Sequence, residues 1–197
     1  NIETVYHTLS ELSDIKPDFI SVTYGAGGSE NCENTLNIAK RIKDVCGVES
    51  AVHMPCINMK KQDAQFVLEQ FQEAGIENIL ALRGDRIEGR EPANDFLYAS
   101  DLIKFIREFN EKRTDGKRFK IMGACYPECH PNSAGPIDDL KNLKRKVDAG
   151  AEHLLSQLFF DNEKFYTFLE RCQLVGINVP IEAGIKASVA VCLTNGL

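Results

Sequence analysis

The sequence lacks the features of several large classes of protein. No stretch approaches the roughly 18 consecutive apolar residues of a transmembrane helix, and the first residues lack the charged-then-apolar order of a signal peptide. Basic residues are not in excess, since the 197 residues carry a net charge of −6 with acidic and basic side chains interspersed. We therefore expect a soluble, cytoplasmic protein with neither a membrane nor a nucleic acid as partner.

Cysteines at the spacing of a metal knuckle or a disulfide framework are also missing. The seven cysteines are an odd number and lie mostly inside apolar segments, which predicts reduced thiols. Cys125 and Cys129, with His130 beside them, are the one cluster that hints at a metal. Their spacing is not that of a Cys-x-x-Cys knuckle and no second pair follows, so we predict no metal site.

Of the residues in the chain, 43% are hydrophobic and 26% are charged. This composition is typical of a globular protein that can bury one substantial core. Short β-branched runs end in polar residues, and each is followed by a helical stretch. They predict six strands: 19–25, 49–56, 78–85, 120–128, 153–161 and 178–185. Their starts lie roughly 25–42 residues apart, which is typical of βα units in a parallel sheet.

Helices are predicted around these strands. Amphipathic or otherwise helical patterns cover 1–15, 34–45, 62–74, 137–149, 163–175 and 186–197. Gly75, Gly150 and Gly176 each end a helix and lead directly into the next strand. The recurrence of this joint indicates one repeated building unit.

Two architectures use such units, the doubly wound sheet and the eight-stranded barrel. A dinucleotide-binding doubly wound sheet usually shows Gly-x-Gly-x-x-Gly after its first strand, and the nearest run, residues 25–29, has a different spacing. In a barrel, polar residues at many strand ends converge on one mouth. Such residues are Thr23 and Tyr24, His53, Arg83 and Asp85, Tyr126 and Glu128, and Gln157 and Asp161. We therefore predict an α/β fold of the (βα)8 TIM-barrel type.

Six strands are fewer than this barrel needs, because it has eight strands and about 250 residues. Since residues 1–15 are predicted to be helical, we expect the first strand to lie before them. The helix predicted at 186–197 leaves no room for the last strand. The prediction is a single barrel domain over residues 1–197 with its first and last strands missing and a gap between 185 and 186.

Five runs of residues on successive βα units give a more specific signal. They are Ser-Val-Thr-Tyr-Gly at 21–25, Ala-Leu-Arg-Gly-Asp at 81–85, Tyr-Pro-Glu at 126–128, Asn-Leu-Lys-Arg-Lys-Val-Asp-Ala-Gly-Ala at 142–151 and Gln-Leu-Phe-Phe-Asp at 157–161. In order and spacing the chain resembles the methylenetetrahydrofolate reductase family from about residue 16 to residue 185.

The resemblance implies an oxidoreductase of one-carbon metabolism and methionine biosynthesis. Such an enzyme reduces 5,10-methylenetetrahydrofolate to 5-methyltetrahydrofolate by ping-pong hydride transfer from NADH or NADPH through FAD. The implied FAD contacts are Thr23, His53, Arg83, Gly84, Asp85, Tyr98, Ala99, Tyr126, His130, Asp139, Asn142, Arg145 and Lys146. Asp85 is also implied as the catalytic carboxylate, and Asp85 and Gln157 as folate contacts. Small molecules are the expected partners, with a homo-oligomer left open.

Residue chemistry is compatible with these roles, although simpler interpretations exist. Arg145 and Lys146, with His130, offer cationic donors for a pyrophosphate, but adjacent charges usually form a solvated helix face. Asp85 can stabilise a cationic iminium substrate or form a surface ion pair. Gln157 offers both a donor and an acceptor to a pterin. Taken alone, His53 fits a core histidine with its hydrogen bonds satisfied as well as it fits a ligand contact. Tyr98 alone also fits an apolar anchor.

The sequence departs from the family at both ends. The family's first strand carries a Glu, interpreted as the general acid, in a Phe-Glu-Phe-type block that these residues lack, and Ala183–Ile185 is not followed by the family's Met-Pro. We expect both parts to exist in the protein outside these residues, because an open barrel would expose strand edges and core. If they were truly absent, the chain would be a non-catalytic flavin- or folate-binding fragment.

A third class is a metal-dependent barrel hydrolase. Its candidate ligands are His53, Asp85, Glu128 and His130. We rank it last because these residues form no compact ligand motif.

Overall fold

Six strands form one parallel sheet in the part of the chain that the computed structural model describes, residues 2–12, 16–24, 29–86, 89 and 91–185. The strands are β1 Phe19–Val22, β2 Glu49–Pro55, β3 Asn78–Leu82, β4 Lys120–Cys125, β5 His153–Ser156 and β6 Ile181–Glu182. Each pairs in parallel with its neighbour in the chain, so the spatial order is the sequence order. The predicted parallel sheet is confirmed. A doubly wound sheet would instead reverse its strand order at a switch point.

A helix follows each of the first five strands. The helices are α1 Ile2–Leu12, α2 Ser29–Arg41, α3 Lys61–Glu73, α4 Ala99–Lys112, α5 Pro136–Ala149 and α6 Asn162–Leu174. The ranges predicted for α3, α5 and α6 are correct to within one residue at each end. The helix predicted at 186–197 lies outside the described residues. None of the described helices combines the length and apolar character needed to cross a membrane.

The prediction for α2 was wrong at both ends. The helix begins at Ser29, before the first apolar residue of the helical pattern, and after Arg41 it continues as a π-helical turn over Ile42–Cys46. Ile42 is fully buried, so the apolar pattern predicted the buried side of this helix correctly. That pattern carries no information about the hydrogen-bond spacing of the last turn, which ends at Gly47.

The three glycine joints share one set of hydrogen bonds. The backbone N–H of each residue after the glycine donates to a carbonyl five residues earlier: Ile76 to Phe71, Ala151 to Lys146 and Ile177 to Cys172, at 2.9–3.0 Å. This bond is characteristic of the Schellman motif that ends a helix at a glycine of positive φ. The repeated unit inferred from the sequence is therefore present as a repeated helix-to-strand joint.

The strands are shorter at their C-terminal ends than predicted. β1 ends at Val22, β3 at Leu82, β4 at Cys125 and β5 at Ser156, and β6 has only two residues. Backbone hydrogen bonds continue past some of these ends, as where the N–H of Gln157 donates to the carbonyl oxygen of Cys125, the last residue of β4, at 2.8 Å. The polar residues thus lie mostly in loops just after the strands, at the same end of the sheet.

The two faces of the sheet differ in what they contact. One face packs against the helices through a core that includes Val52, Ile79, Phe71 and Ile103, all fully buried. The other face carries a smaller apolar cluster around Ala51, Leu80 and Met122. Because side chains alternate along a strand, Ser21 and His53 lie on this second face, called the inner face below.

Candidate active site

A cavity of about 570 Å³ lies where β3 and β4 end and where α4 and α5 begin. Its lining includes most of the residues that the family resemblance implies as flavin contacts. They are Arg83, Gly84, Asp85, Tyr98, Ala99, Tyr126, His130, Asp139, Asn142, Arg145 and Lys146. These residues come from three separate segments of the chain, so the fold brings together what the sequence spreads over more than sixty positions.

The loop after β3 forms one wall of the cavity and is held by the loop after β2. The carbonyl oxygen of Arg83 accepts hydrogen bonds from the N–H groups of Cys56 and Ile57 at 3.1 and 2.8 Å. Nδ2 of Asn58 donates to the carbonyl oxygen of Asp85 at 3.0 Å. These bonds fix the backbone and leave the side chains of Arg83 and Asp85 available to a ligand.

Gly84 allows this loop to pass close to β2. It adopts φ +78°, and a Cβ added there would lie 2.7 Å from the Cβ of Pro55. A side chain at this position would therefore clash with Pro55 and also strain the backbone. Glycine therefore allows the loop after β3 to lie against Pro55.

The second wall is the start of α4. Oδ2 of Asp101 accepts hydrogen bonds from the N–H groups of Leu97 and Tyr98, both at 2.9 Å. Tyr98 is 61% exposed, so its ring has surface available for contact with a ligand. Ala99, at the first helical position, lines the cavity, and a helix N-terminus favours an anionic group nearby.

Tyr126, His130 and Asp139 form a connected group on the third wall. The rings of Tyr126 and His130 meet edge to face with centroids 4.5 Å apart. Asp139 accepts hydrogen bonds from the N–H of His130 at 3.2 Å and from the Ser133 hydroxyl at 3.1 Å. Burial lowers the pKa of His130, and the Asp139 carboxylate opposes this shift. Burial, followed by the same carboxylate, raises the pKa of Tyr126.

Lys146 extends from α5 to the end of β4. Its Nζ donates to the carbonyl oxygen of Ala124 at 2.8 Å and lies 5.9 Å from the centroid of the Tyr126 ring. Burial lowers the pKa of Lys146, while Asp139 acts in the opposite direction. A partly desolvated ammonium group of this kind attracts an anion more strongly than a fully hydrated one.

Arg145, the residue before Lys146, is joined to Asn142, which lies about one turn earlier on α5. The guanidinium Nη1 of Arg145 donates to Oδ1 of Asn142 at 2.8 Å, and Nδ2 of Asn142 lies 3.3 Å from Oδ2 of Asp138. Arg145 is exposed and Lys146 is half-buried, and both residues line the cavity.

Thr23, His53 and Gln157 do not line this cavity. Thr23 is exposed directly after β1, and Gln157 is exposed directly after β5. His53 is half-buried on the inner face of β2, where its Nε2 lies 2.6 Å from the hydroxyl oxygen of Ser21. All three lie on strands or strand ends of the same sheet, but the structure does not bring them into the group described above.

Sequence reasoning missed three residues that support the site. Asp101, which caps α4, has a local signal, because an acidic residue three positions after a helix boundary is typical of a capping box. Asn58 and Ser133 have no such signal, since their hydrogen bonds depend on where the loops meet in space.

The described residues include no group of three His, Cys, Asp or Glu side chains placed to hold a metal ion. The hydrolase alternative would need four side chains together: His53, Asp85, Glu128 and His130. Instead, Glu128 forms an ion pair with Lys164 at 3.0 Å. Burial raises the pKa of the Cys125 thiol to about 12.

Solved structures of distant proteins share this fold. An oxaloacetate acetylhydrolase superposes with a TM-score of 0.59 at 14% identity, covering 90% of this chain and 72% of that one. A fungal β-1,4-galactanase gives a TM-score of 0.60 at 12% identity, covering 89% and 64%. At sequence identities this low, the similarity shows a shared fold and nothing about function.

Sequence comparisons are more specific. The 5,10-methylenetetrahydrofolate reductases of Pectobacterium carotovorum and Escherichia coli are each 40% identical to the chain, which covers 58% of their length. Methylenetetrahydrofolate reductase (NADH) 1 of Arabidopsis thaliana is 38% identical, and the chain covers 32% of it. Each alignment includes 93% of this chain. The model of the family described as methylenetetrahydrofolate reductase matches residues 1–189, and the chain belongs to that family.

Proposed function

We propose that this chain forms the FAD- and folate-binding part of a methylenetetrahydrofolate reductase. This oxidoreductase takes hydride from NADH or NADPH and reduces 5,10-methylenetetrahydrofolate to 5-methyltetrahydrofolate by a ping-pong mechanism. One observation carries the proposal: most of the residues that the family resemblance implies as flavin contacts, all except Thr23 and His53, line one cavity at the C-terminal ends of β3 and β4. The names of the bacterial relatives, at 40% identity, support the same substrate.

The proposal includes the architecture. Consecutive parallel strands in sequence order fit successive members of a (βα)8 barrel, whose ligands bind at the C-terminal ends of its strands. Six such strands do not close at the diameter of an eight-stranded barrel, so two more complete it. Residues 1–197 then form one domain, with one missing strand in the gap proposed between 185 and 186.

The chemistry of the cavity suits FAD. Arg145, Lys146 and His130 offer donors for the pyrophosphate, and the start of α4 adds a favourable helix dipole. Asp139 and Asn142 offer acceptors and donors for hydroxyl groups.

Bound FAD would supply the hydride-transfer chemistry that amino-acid side chains lack. The contribution of Asp85 is electrostatic, because a carboxylate at the strand end stabilises positive charge that develops on the folate. Gln157 orients the pterin through its amide, which both donates and accepts. Thr23 and His53 contact the ligand from the inner side of β1 and β2.

Identification of the cofactor tests this proposal first. The protein is purified, its cofactor is released with acid, and the extract is separated and compared with FAD and FMN standards. Noncovalent FAD is the expected result. Finding FMN, or no flavin even after reconstitution with excess FAD, contradicts the assignment.

A second experiment separates a reductase from a non-catalytic flavin-binding fragment. The FAD-loaded protein is mixed anaerobically with NADH, and bleaching of the flavin absorbance is recorded. Methylenetetrahydrofolate is then added. Reoxidation that depends on the folate supports the reductase, whereas binding of FAD without either half-reaction supports the fragment.

A further inference from the structure

His130 begins a tight turn in the wall of the proposed flavin cavity. The backbone N–H of Asn132 donates a hydrogen bond to Nδ1 of the His130 imidazole at 3.0 Å. The carbonyl oxygen of His130 accepts a hydrogen bond from the N–H of Ser133 at 3.0 Å, and the N–H of His130 donates to Oδ2 of Asp139 at 3.2 Å. The protein therefore holds both the ring and the backbone of His130 before any ligand binds.

The bond to the ring has only one possible direction. A backbone N–H can only donate, so Nδ1 of His130 is the acceptor and carries no proton. A neutral imidazole carries its single proton on one of its two nitrogens, and here that nitrogen is Nε2. A second proton, on Nδ1, would break the bond to Asn132 and place two N–H groups against each other.

Nε2 of His130 is available to a ligand. The residue is half-buried and lines the cavity, and its ring meets the ring of Tyr126 edge to face. In the part of the chain that the structure describes, Nε2 makes no hydrogen bond or ion pair, and it is not one of the buried atoms that lack a partner. Its N–H is therefore accessible from the cavity and free to donate.

The surroundings of the ring also favour its neutral form. Burial has the largest effect and lowers the pKa of His130, because it disfavours the charged imidazolium. Four charged groups face the ring and act in opposite directions: Asp139 and Asp85 raise the pKa, whereas Arg83 and Lys146 lower it. Two carboxylates thus oppose two cations, and the effect of burial remains.

The phenol of Tyr126 adds no charge beside the ring. Burial, followed by the Asp139 carboxylate, raises the pKa of Tyr126 above its ordinary value of 10. The phenol is therefore uncharged at neutral pH and gives no electrostatic reason for His130 to gain a second proton.

We propose that His130 binds its ligand as a neutral imidazole with the proton on Nε2, and that it donates this one hydrogen bond to a ligand oxygen without contributing positive charge. This differs from the cationic role that the sequence suggests for His130 beside Arg145 and Lys146. In the proposed function the acceptor is an oxygen of FAD, and side chains such as Arg145 and Lys146 supply the charge for its pyrophosphate. The identity of the ligand rests on the proposed function, but the position of the proton does not.

Nitrogen spectra of the protein without flavin test the position of the proton. The full chain is labelled with ¹⁵N-histidine, and two-dimensional ¹H–¹⁵N spectra report which ring nitrogens are protonated. His130→Gln identifies the signals of His130 among the four histidines. At about pH 7.5 we expect a neutral ring with its proton on Nε2. At pH 6.5, where an ordinary histidine is half protonated, the ring should still be mainly neutral. A proton on Nδ1 of the neutral ring, or a charged ring at about pH 7.5, overturns the proposal.

Two substitutions separate a neutral donor from a cation in flavin binding. In His130→Gln the side-chain amide keeps a neutral N–H donor, whereas His130→Leu removes the donor. His130→Leu should weaken FAD binding by about tenfold, the usual effect of losing one hydrogen bond, and His130→Gln should weaken it by clearly less. Equal losses in the two variants overturn the proposal, because a neutral donor would then not be what His130 contributes.

The pH dependence of FAD binding gives a readout that a purely structural role would not change. From about pH 7 to pH 8.5, the ratio of the FAD affinities of the unmodified protein and His130→Gln should stay constant, because the other titratable groups are common to both proteins. If FAD instead bound an imidazolium, the affinity of the unmodified protein would fall relative to His130→Gln as the pH rises. That result overturns the proposal.

Failure of the proposed function is distinguishable from failure of this proposal. If the unmodified protein binds no FAD, the proposed function fails, while the nitrogen spectra still decide the position of the proton. If FAD binds and the affinity ratio falls with pH, the proposed function stands and the neutral donor is wrong.

Discussion

Lys146 joins α5 to the end of β4 by donating a hydrogen bond from Nζ to the carbonyl oxygen of Ala124, 2.8 Å away. The bond holds an ammonium group in the cavity wall beside the Tyr126 ring. Because the group is partly desolvated and already oriented, an anionic ligand need not order a flexible lysine when it binds. Lys146 should therefore contribute more to ligand binding than other lysines of the same helix.

Lys146→Met tests this difference. The variant removes the charge and keeps most of the volume, so FAD affinity should fall by roughly 10- to 100-fold, as for the loss of a charged hydrogen bond. Lys141→Met is the control, since Lys141 is exposed on α5 and does not line this cavity. Titration of protein into FAD, followed by flavin fluorescence, measures both. Similar affinities for the two variants would remove Lys146 from the pyrophosphate site.

The lowered pKa of Lys146 predicts a pH dependence of stability. In the unfolded chain the amine has its ordinary pKa of 10.5, and burial lowers the pKa in the folded protein. Between these two values the unfolded state binds more protons, so this residue's contribution to stability rises with pH. The free energy of unfolding of the original protein and of Lys146→Met is measured in urea from neutral pH towards pH 10.5. As the pH rises, the original protein should become more stable relative to Lys146→Met. A constant difference would contradict the burial of this amine.

Gly84→Ala should destabilise the protein through a steric clash in addition to backbone strain. The new Cβ would lie 2.7 Å from the Cβ of Pro55, at a φ of +78°. Gly116→Ala is a matched control, because Gly116 has φ +74° and nothing within 4 Å of an added Cβ. We expect losses of roughly 2–4 kcal/mol at Gly84 and about 1 kcal/mol at Gly116, measured by denaturant unfolding. Equal losses would mean that Pro55 moves aside.

Local patterns were sufficient to predict much of the fold. The starts of β1 to β5 and the glycine joints were correct, because burial periodicity and helix stop signals depend on residues close in sequence. The π-helical turn at Ile42–Cys46 was not predicted. The spacing of apolar residues indicates which face of a helix is buried, but it does not indicate the spacing of the backbone hydrogen bonds. Strand ends were placed too late, because the predicted ranges included the polar residues that follow each β-branched run, and most of these lie in loops.

The candidate site was only partly accessible from the sequence. The family resemblance supplied the residues, and the structure brings those of the segments around Arg83, Tyr98 and Tyr126–Lys146 together in one cavity. The residues that hold the loops could not be predicted, as with Asn58, whose bond to Asp85 spans 27 positions. Such bonds depend on tertiary contacts and leave no periodic signal.

Asp85→Asn tests the electrostatic role of the carboxylate. Asn58 holds the backbone of Asp85, while the carboxylate makes no hydrogen bond or ion pair with the described residues. If the charge stabilises a developing cation on the folate, its loss should raise the activation barrier of the folate half-reaction by roughly one to a few kcal/mol. The barrier of the NADH half-reaction should rise by less. Stopped-flow absorbance of the FAD-loaded protein measures the two half-reactions separately. Glu91→Gln is the control, because Glu91 is exposed and outside the cavity lining. Equal slowing of both half-reactions, or none, would remove Asp85 from this role.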